Sequence, residues 1–358
     1  MAGESDGGDA RDKNGFHIER DLLCTVNSAG YFTSLNSGWE RVLGWTRDEL
    51  MSRPAVDFIH PSDRRRTVDE MSKVSRPDYE VVNFENRYRA RGGGWRWLRW
   101  SARADGEMWF GVAFDVTRQK EVETRLRGVL TEEHLLAYSQ PILDHRRDRI
   151  VQEELLVRMR AGSGSPDILA PETFLPDAER CGLIGLVDRW MAAHAVALSR
   201  QGRRAEVNLS AISLGDEEFT ASLERWIKRS GVNPGNIVFE ITETAALEQL
   251  DLAVDFAQRL TNLGCQFALD DFGTGFGSLT HLRLLPVRFL KIDTSFVRDV
   301  SSSREDQAMI RGIVAIAREL GVLTVAEGIE DAPTLELITD YGVDFAQGFH
   351  IGRPAPVG

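Results

Sequence analysis

Two patterns of hydrophobic and polar positions divide this chain. Over residues 17–119, apolar residues fall in short runs separated by turn residues. DLLCTV (21–26) and YFTSL (31–35) read as the two strands of a hairpin around Asn27, Ser28 and Gly30. Asn36 or Ser37 can cap a short helix that runs through Val42 and stops at Gly44. FENRYRA (84–90), WRWLRWSA (95–102) and MWFGVAFDV (108–116) follow, joined by turns at 92–94 and 105–106. Strands joined this way predict an antiparallel sheet. Near residue 116 the period changes. Val122, Leu126, Val129 and Leu130 stand at i, i+4, i+7 and i+8, one apolar stripe of a helix. The stripe needs a partner: the sheet, the next domain or the same helix in a second chain.

From about residue 132, strand-like runs alternate with helical ones. The strand candidates are IVQEELLVRM, AEVNLS, NIVFEIT, QFALDDF, RFLKID, LTVAEG and DFAQGF. Between them lie ETFLPDAERCG, SLERWIKRSG, LAVDFAQRLTNLG and QAMIRGIVAIARELG, each ending at glycine as helices often do. This alternation predicts an α/β barrel or a doubly wound sheet. The expected organisation is a tail over 1–16, a smaller α+β domain over 17–118, a connector helix over 119–131 and an α/β domain over 132–358.

Composition changes the picture in one respect. The chain has 358 residues, 42% hydrophobic and 27% charged, which fits two packed domains. No apolar run is long enough to cross a bilayer, and the polar N-terminus lacks a signal-peptide core. Cys24, Cys181 and Cys265 are far apart and show no metal-ligand spacing, so a reduced, cytoplasmic setting is expected. The net charge of -12 is unevenly placed. Residues 1–130 hold 21 basic and 21 acidic residues, and the remainder 22 and 34. A soluble acidic surface explains that excess simply. Carboxylates converging on bound cations explain it as well.

The second explanation gains from where the polar residues stand. Glu154, Asn208, Glu240, Asp270, Asp271, Lys291, Glu327 and Gln347 lie within or at the ends of apolar strand runs. One such residue could be a strand cap. A series of them across consecutive strands would share the C-terminal rim of a barrel, where active sites lie. Buried carboxylates are costly unless paired or bound to metal. Lys291 alone cannot balance Glu154, Glu240, Glu243, Asp270, Asp271, Glu327 and Glu330. An oxygen-rich set with one amide suits Mg²⁺ or Mn²⁺.

At this point a resemblance emerges. YSQPI (138–142), EELLVR (153–158), NLSA (208–211), EITET (240–244), DDFGTGFGSL (270–279), LPVRFLKID (285–293), VAEGIE (325–330) and QGFHIGRP (347–354) occur in order. Residues 134–358 resemble the EAL domain of cyclic-di-GMP phosphodiesterases. The resemblance implies a modified TIM (β/α)8 barrel, a homodimer, and hydrolysis of cyclic-di-GMP to linear pGpG with two Mg²⁺ or Mn²⁺ ions. It implies metal ligation by Glu154, Asn208, Glu240, Asp270 and Glu327, with Asp271 helping to hold the second ion. Lys291 would contact the attacking water. Glu243 would orient the loop from Phe272 to Ser278, in which Gly273 and Gly275 allow the bend. Glu330 and Gln347 would border the site, and Gln140, Leu156, Arg158 and Asp344 would touch substrate. Leu155, Met159, Ser139 and His350-Ile351-Gly352 depart from the family's usual residues, but none of them is a proposed ligand. A non-catalytic cyclic-di-GMP receptor using the same pocket is the alternative.

Residues 17–119 resemble a PAS domain through Ala29-Gly30, Asn36, Leu43-Gly44-Trp45, FIHPSDR (58–64), WRWLRW and FDVTRQK (114–120). No ligand is named for this module. The light-sensing cysteine signature is absent, and His60 sits in ordinary PAS vocabulary rather than in a haem motif. RYRARGGGWRWLRW interleaves arginine with aromatics as single-strand binders do. The balanced charge of this half instead favours arginines on one sheet face and tryptophans packing beneath the connector helix. Nucleic acid and membrane are not expected partners.

Overall fold

The computed structural model describes residues 21–74, 79–106, 108–131, 133–162, 165–273 and 282–357. The expected tail over 1–16 lies outside them. The chain divides into two compact units, 1–122 and 123–358. Among the described residues no helix is long and apolar enough to cross a membrane.

The N-terminal unit is a five-stranded antiparallel sheet with helices on one face. Strands β1 (Leu22–Asn27), β2 (Phe32–Leu35), β3 (Glu80–Arg89), β4 (Trp95–Asp105) and β5 (Met108–Asp115) take the order β2-β1-β5-β4-β3. Helices α1 (Gly38–Leu43), α2 (Arg47–Met51) and α3 (Pro61–Val74) lie between β2 and β3. Gly44 ends α1 at φ 75°, as the sequence predicts. Asn36 does not cap that helix. Its amide donates to the Asp21 carbonyl and accepts from the Leu23 N–H, which ties β1 to the helix entry.

The tryptophans are not gathered on one face. Alternation along β4 sends Trp100 into the core against Trp39 and Tyr88. Trp97 takes the other face, beneath the guanidinium of Arg87 and the ammonium of Lys120. Arg99 shares that face and binds Glu85 at 2.9 Å, so much of the arginine charge is neutralised locally. A cavity of about 70 Å³ opens among Phe32, Tyr88, Trp100 and Trp109. His60 does not line it; its ring meets Trp95 edge-on and its Nδ1 accepts from the Ser62 N–H. Helix α4 (Thr117–Val129) follows and crosses the boundary between the units.

The C-terminal unit is a closed barrel. β6 (Leu135–Asp144) and β7 (Arg149–Arg160) form a hairpin, and the short β8 (Ile168–Leu169) pairs with the end of β7. β9 (Ala205–Asn208), β10 (Ile237–Thr242), β11 (Gln266–Phe272), β12 (Phe289–Ile292), β13 (Leu323–Ala326) and β14 (Phe345–Gln347) continue in parallel. β14 returns to β6 and closes the ring, with β6 antiparallel to both neighbours. The sequence alternation predicts the parallel strands but not β6. That strand reverses direction because a four-residue turn, rather than a helix, joins it to β7.

Helices cover the outside. Helix α5 (Leu175–Arg180) leads to α6 (Ile184–Arg200), whose buried positions include 184, 187, 188, 191, 192, 195 and 196. That is the spacing of one helical face. Helix α7 (Ala211–Leu214) follows β9. Inside, side chains stack in layers. One layer is Ile142, Val238, Ala268, Phe289 and Val325, with Phe345 against it. Two residues further toward the C-terminal rim on each parallel strand stands a polar residue, so the apolar layer is the floor of the site.

Candidate active site

Lys291 is the centre of the upper layer. It is 1% exposed and its Nζ lies 2.5 Å from Glu240, 2.7 Å from Glu327, 3.4 Å from Glu154 and 3.8 Å from Asp270. Burial alone pulls an ammonium pKa down, but these four carboxylates outweigh it and hold Lys291 well above its ordinary value. It carries a fixed positive charge. The carboxyl groups pay the converse penalty. Burial pushes Glu327 up to about 8 and Glu240 well above the usual range, in both cases against the pull of Lys291.

The remaining polar residues of the layer hold one another. Asn208 Nδ2 donates to Glu154 Oε1 at 2.8 Å, and Gln347 Nε2 donates to Glu154 Oε2 at 2.7 Å. Gln347 also reaches Gln140 Oε1, at 3.3 Å, while Gln140 Nε2 donates to the Gly352 carbonyl. Leu156 and Arg158 continue the inward face of β7 beyond Glu154, and Arg158 lies over the Tyr138 ring. Glu243 Oε2 accepts from the Gly273 N–H at 3.1 Å. Gly273 has φ 102°, and a Cβ there would stand 2.9 Å from the Phe296 ring, so the bend requires glycine. Gly275 and the loop beyond Gly273 lie outside the described residues.

Three of these details bear on cations. Glu240, Asp270 and Glu327 bring carboxylate oxygens within 4.8 Å of one another, and Asp271, Asp293 and Glu327 do the same. Glu327 belongs to both groups. Glu240 Oε2 and Asp270 Oδ1 are buried without a hydrogen-bond partner among the described residues. Buried, clustered acceptor oxygens without a protein donor fit hard divalent ions, so the residues present suit Mg²⁺ or Mn²⁺.

Two expected residues are not brought into this cluster. Asp344 sits at the opposite end of the barrel, where β13 begins. Its Oδ2 accepts from the Thr324 N–H and hydroxyl, and Arg146 lies 3.4 Å away. Its place at the N-terminal rim makes it a fold residue, and the expectation of a substrate contact is corrected. Glu330 is exposed and makes no hydrogen bond or ion pair among the described residues.

Sequence reasoning missed three others. Glu206, fully buried, stands two residues before Asn208, and its Oε2 accepts from Gln152 Nε2 at 2.7 Å. Gln152 in turn stands two residues before Glu154. The pair interrupts the otherwise apolar floor, and burial pushes Glu206 up to about 7. Asp293 stands two residues after Lys291, facing Asp271, which burial and Asp270 push up to about 6. Asp271 has φ 53°, an uncommon backbone conformation for a residue with a side chain. The period-two spacing from Asn208, Glu154 and Lys291 was the available signal for all three.

The family profile described as EAL domain matches residues 123–354. The chain belongs to the EAL domain family. A PAS fold profile matches residues 32–111, so a PAS module precedes the EAL domain. The chain is 33% identical over 239 residues to "Cyclic di-GMP phosphodiesterase PdeF" of Escherichia coli (strain K12), covering 65% of this chain and 32% of that protein. It spans about a third of the length of the curated relatives it matches. Among solved structures, "PaMucR Phosphodiesterase, c-di-GMP complex" superposes with a TM-score of 0.62 at 30% identity, covering 66% of this chain and 98% of that one. The FimX EAL domain from Pseudomonas aeruginosa bound to c-di-GMP gives 0.62 at 29% identity, covering 66% and 96%. Beside the EAL upper layer opens a cleft of about 590 Å³. Leu156, Asn208, Ser210, Thr242, Thr244 and Glu248 line part of it.

Proposed function

We propose that the EAL domain hydrolyses one phosphodiester bond of cyclic-di-GMP, giving linear pGpG. The observation that carries this reading is Lys291, buried and charged among Glu154, Glu240, Asp270 and Glu327, with two carboxylate oxygens beside it that have no hydrogen-bond partner among the described residues. Glu154, Asn208, Glu240 and Asp270 would hold one divalent ion and Asp271 and Asp293 a second, with Glu327 in reach of both. Bound ions would supply Lewis-acid charge and an acidified water. Lys291 places an N–H donor and a fixed charge where negative charge develops on the phosphate. Arg158 would meet a phosphate oxygen, and Gln140, Leu156 and Gln347 would border the dinucleotide. Glu243 fixes the backbone at Gly273, directly after Asp271 and Phe272.

The test is incubation of purified protein with cyclic-di-GMP and Mg²⁺ or Mn²⁺, with pGpG read by chromatography. Wild type should produce pGpG, and Glu154→Ala should lose turnover by at least about 100-fold, as loss of a central electrostatic group does. Wild type that binds the dinucleotide with either metal yet never cleaves it would leave the receptor reading in its place.

The PAS module is proposed as an input unit of a homodimer, acting through α4, whose Leu126 is already buried within the single chain. A protein beginning at residue 116 should differ from the full chain in turnover or in the fraction that is dimeric. Equal turnover and an equal dimeric fraction by light scattering would remove the coupling.

A further inference from the structure

Asp188 is a charged residue on the buried face of α6, between Val187 and Met191, and only 5% exposed. No reacting group needs it there. Its Oδ2 alone accepts three hydrogen bonds: from the Ser210 N–H at 2.9 Å, the Ser210 hydroxyl at 2.6 Å and the Ser213 hydroxyl at 2.6 Å. Ser210 is the N-cap residue of α7, yet its side chain makes no cap hydrogen bond. The hydroxyl is committed to Asp188 instead. A helix end has given up its usual partner so that this one contact can form.

What the contact fixes is the backbone directly after Asn208. Asn208 ends β9, paired in register with Glu240, and the Leu209 N–H donates to the Glu240 carbonyl at 2.8 Å. Asp188 clamps the next residue. The Asn208 side chain is exposed, with one hydrogen bond, to Glu154. Packing does not hold it, so its aim depends on where the backbone stands. The lever reaches from α6, outside the barrel, to the amide at its rim.

We propose that Asp188 is a positioning residue that presets Asn208 for metal binding by anchoring Ser210 and Ser213. This rests on the metal-site reading above. The geometry asks only for an acceptor oxygen at the Oδ2 position. Asparagine supplies one, with its amide turned to the cleft that Asp188 also lines. Leucine fills the space and supplies none.

The probe is Mn²⁺ alone, titrated calorimetrically into the full-length protein without nucleotide. Partners that orient a metal ligand are typically worth 10- to 100-fold in affinity, so Asp188→Leu should weaken Mn²⁺ binding by about 10-fold or more. Asp188→Asn should stay within about threefold of wild type, because its amide oxygen keeps an acceptor with two lone pairs at the Oδ2 position. Circular dichroism should show both variants folded. Should Asp188→Leu not fold, the double variant Ser210→Ala, Ser213→Ala removes two of the three donors without touching α6. It should weaken Mn²⁺ binding by about threefold or more, a smaller loss than a full outer partner brings. Folded Asp188→Leu, or the double variant, with wild-type Mn²⁺ affinity overturns the inference. Asp188→Asn as damaged as Asp188→Leu overturns it too, since charge or packing would then be the cause. Wild type that fails to bind Mn²⁺ overturns the metal reading itself, a different result from either.

Discussion

Lys291→Met should destabilise the metal-free protein by about 3–5 kcal/mol, the usual loss when one partner is removed from a buried ion-pair network. The reason is the imbalance around it. Glu240 is fully buried, and Glu154, Asp270 and Glu327 crowd the same ammonium. Methionine fills most of the volume but leaves these carboxyls facing one another. For a unit of this size the loss corresponds to a drop in melting temperature of roughly 10 °C. Saturating Mn²⁺ should recover much of it, because a divalent ion supplies the missing positive charge. Catalysis should not recover. Loss of a fixed donor to developing charge costs about 100- to 1,000-fold in kcat. Scanning calorimetry in chelator and in Mn²⁺, beside the pGpG assay, separates the two effects. A metal-free variant melting within a degree of wild type would show that Lys291 is not what balances these carboxyls. A kcat within tenfold of wild type would remove it from the reaction.

The upper layer was legible in the sequence because each parallel strand contributes one polar residue in an apolar run. Such a residue stands out, and chain order maps directly onto order around the barrel. The misses have the same origin. Glu206 and Gln152 sit one step deeper, where a polar residue has no local reason to be. A reading that looks for strand ends passes over them. Asp344 was misplaced for the opposite reason. It stands three residues before Gln347 on the approach to β14, and three residues of extended chain, at about 3.3 Å each, separate one rim from the other. Strand β6 was missed because its parallel neighbours set the expected rhythm, and an antiparallel hairpin breaks it. In the N-terminal module the strands were clear from their turns. The faces were not, because Trp95, Trp97 and Trp100 change parity within one strand. Asp188 could not be singled out from spacing. A lone aspartate on an apolar helix face acquires meaning only when its partners, twenty-two and twenty-five residues away, are seen.

The same carboxyls make stability depend on pH and metal together. Burial raises Asp271 from 3.8 to about 6, Glu206 from 4.5 to about 7 and Glu327 from 4.5 to about 8. A carboxyl with a raised folded-state value keeps its proton after the unfolded chain has released one. Its stabilising contribution is complete below the unfolded value and is lost as pH rises through the folded value. Glu240 moves in the same direction. Lys291, held above its ordinary value of 10.5, stays charged throughout and adds no slope here. The metal-free melting temperature should therefore fall steadily from about pH 5 to pH 8. Divalent ions need the deprotonated oxygens, so they bind more tightly over that same interval. At a hundred times its dissociation constant an ion adds about 2.7 kcal/mol. The gap between melting curves in Mn²⁺ and in chelator should be narrow at pH 5.5 and wide at pH 8.5. A chelator curve that rises with pH would mean that these carboxyls hold no protons in the fold. Two curves that stay parallel would mean that Mn²⁺ binds elsewhere.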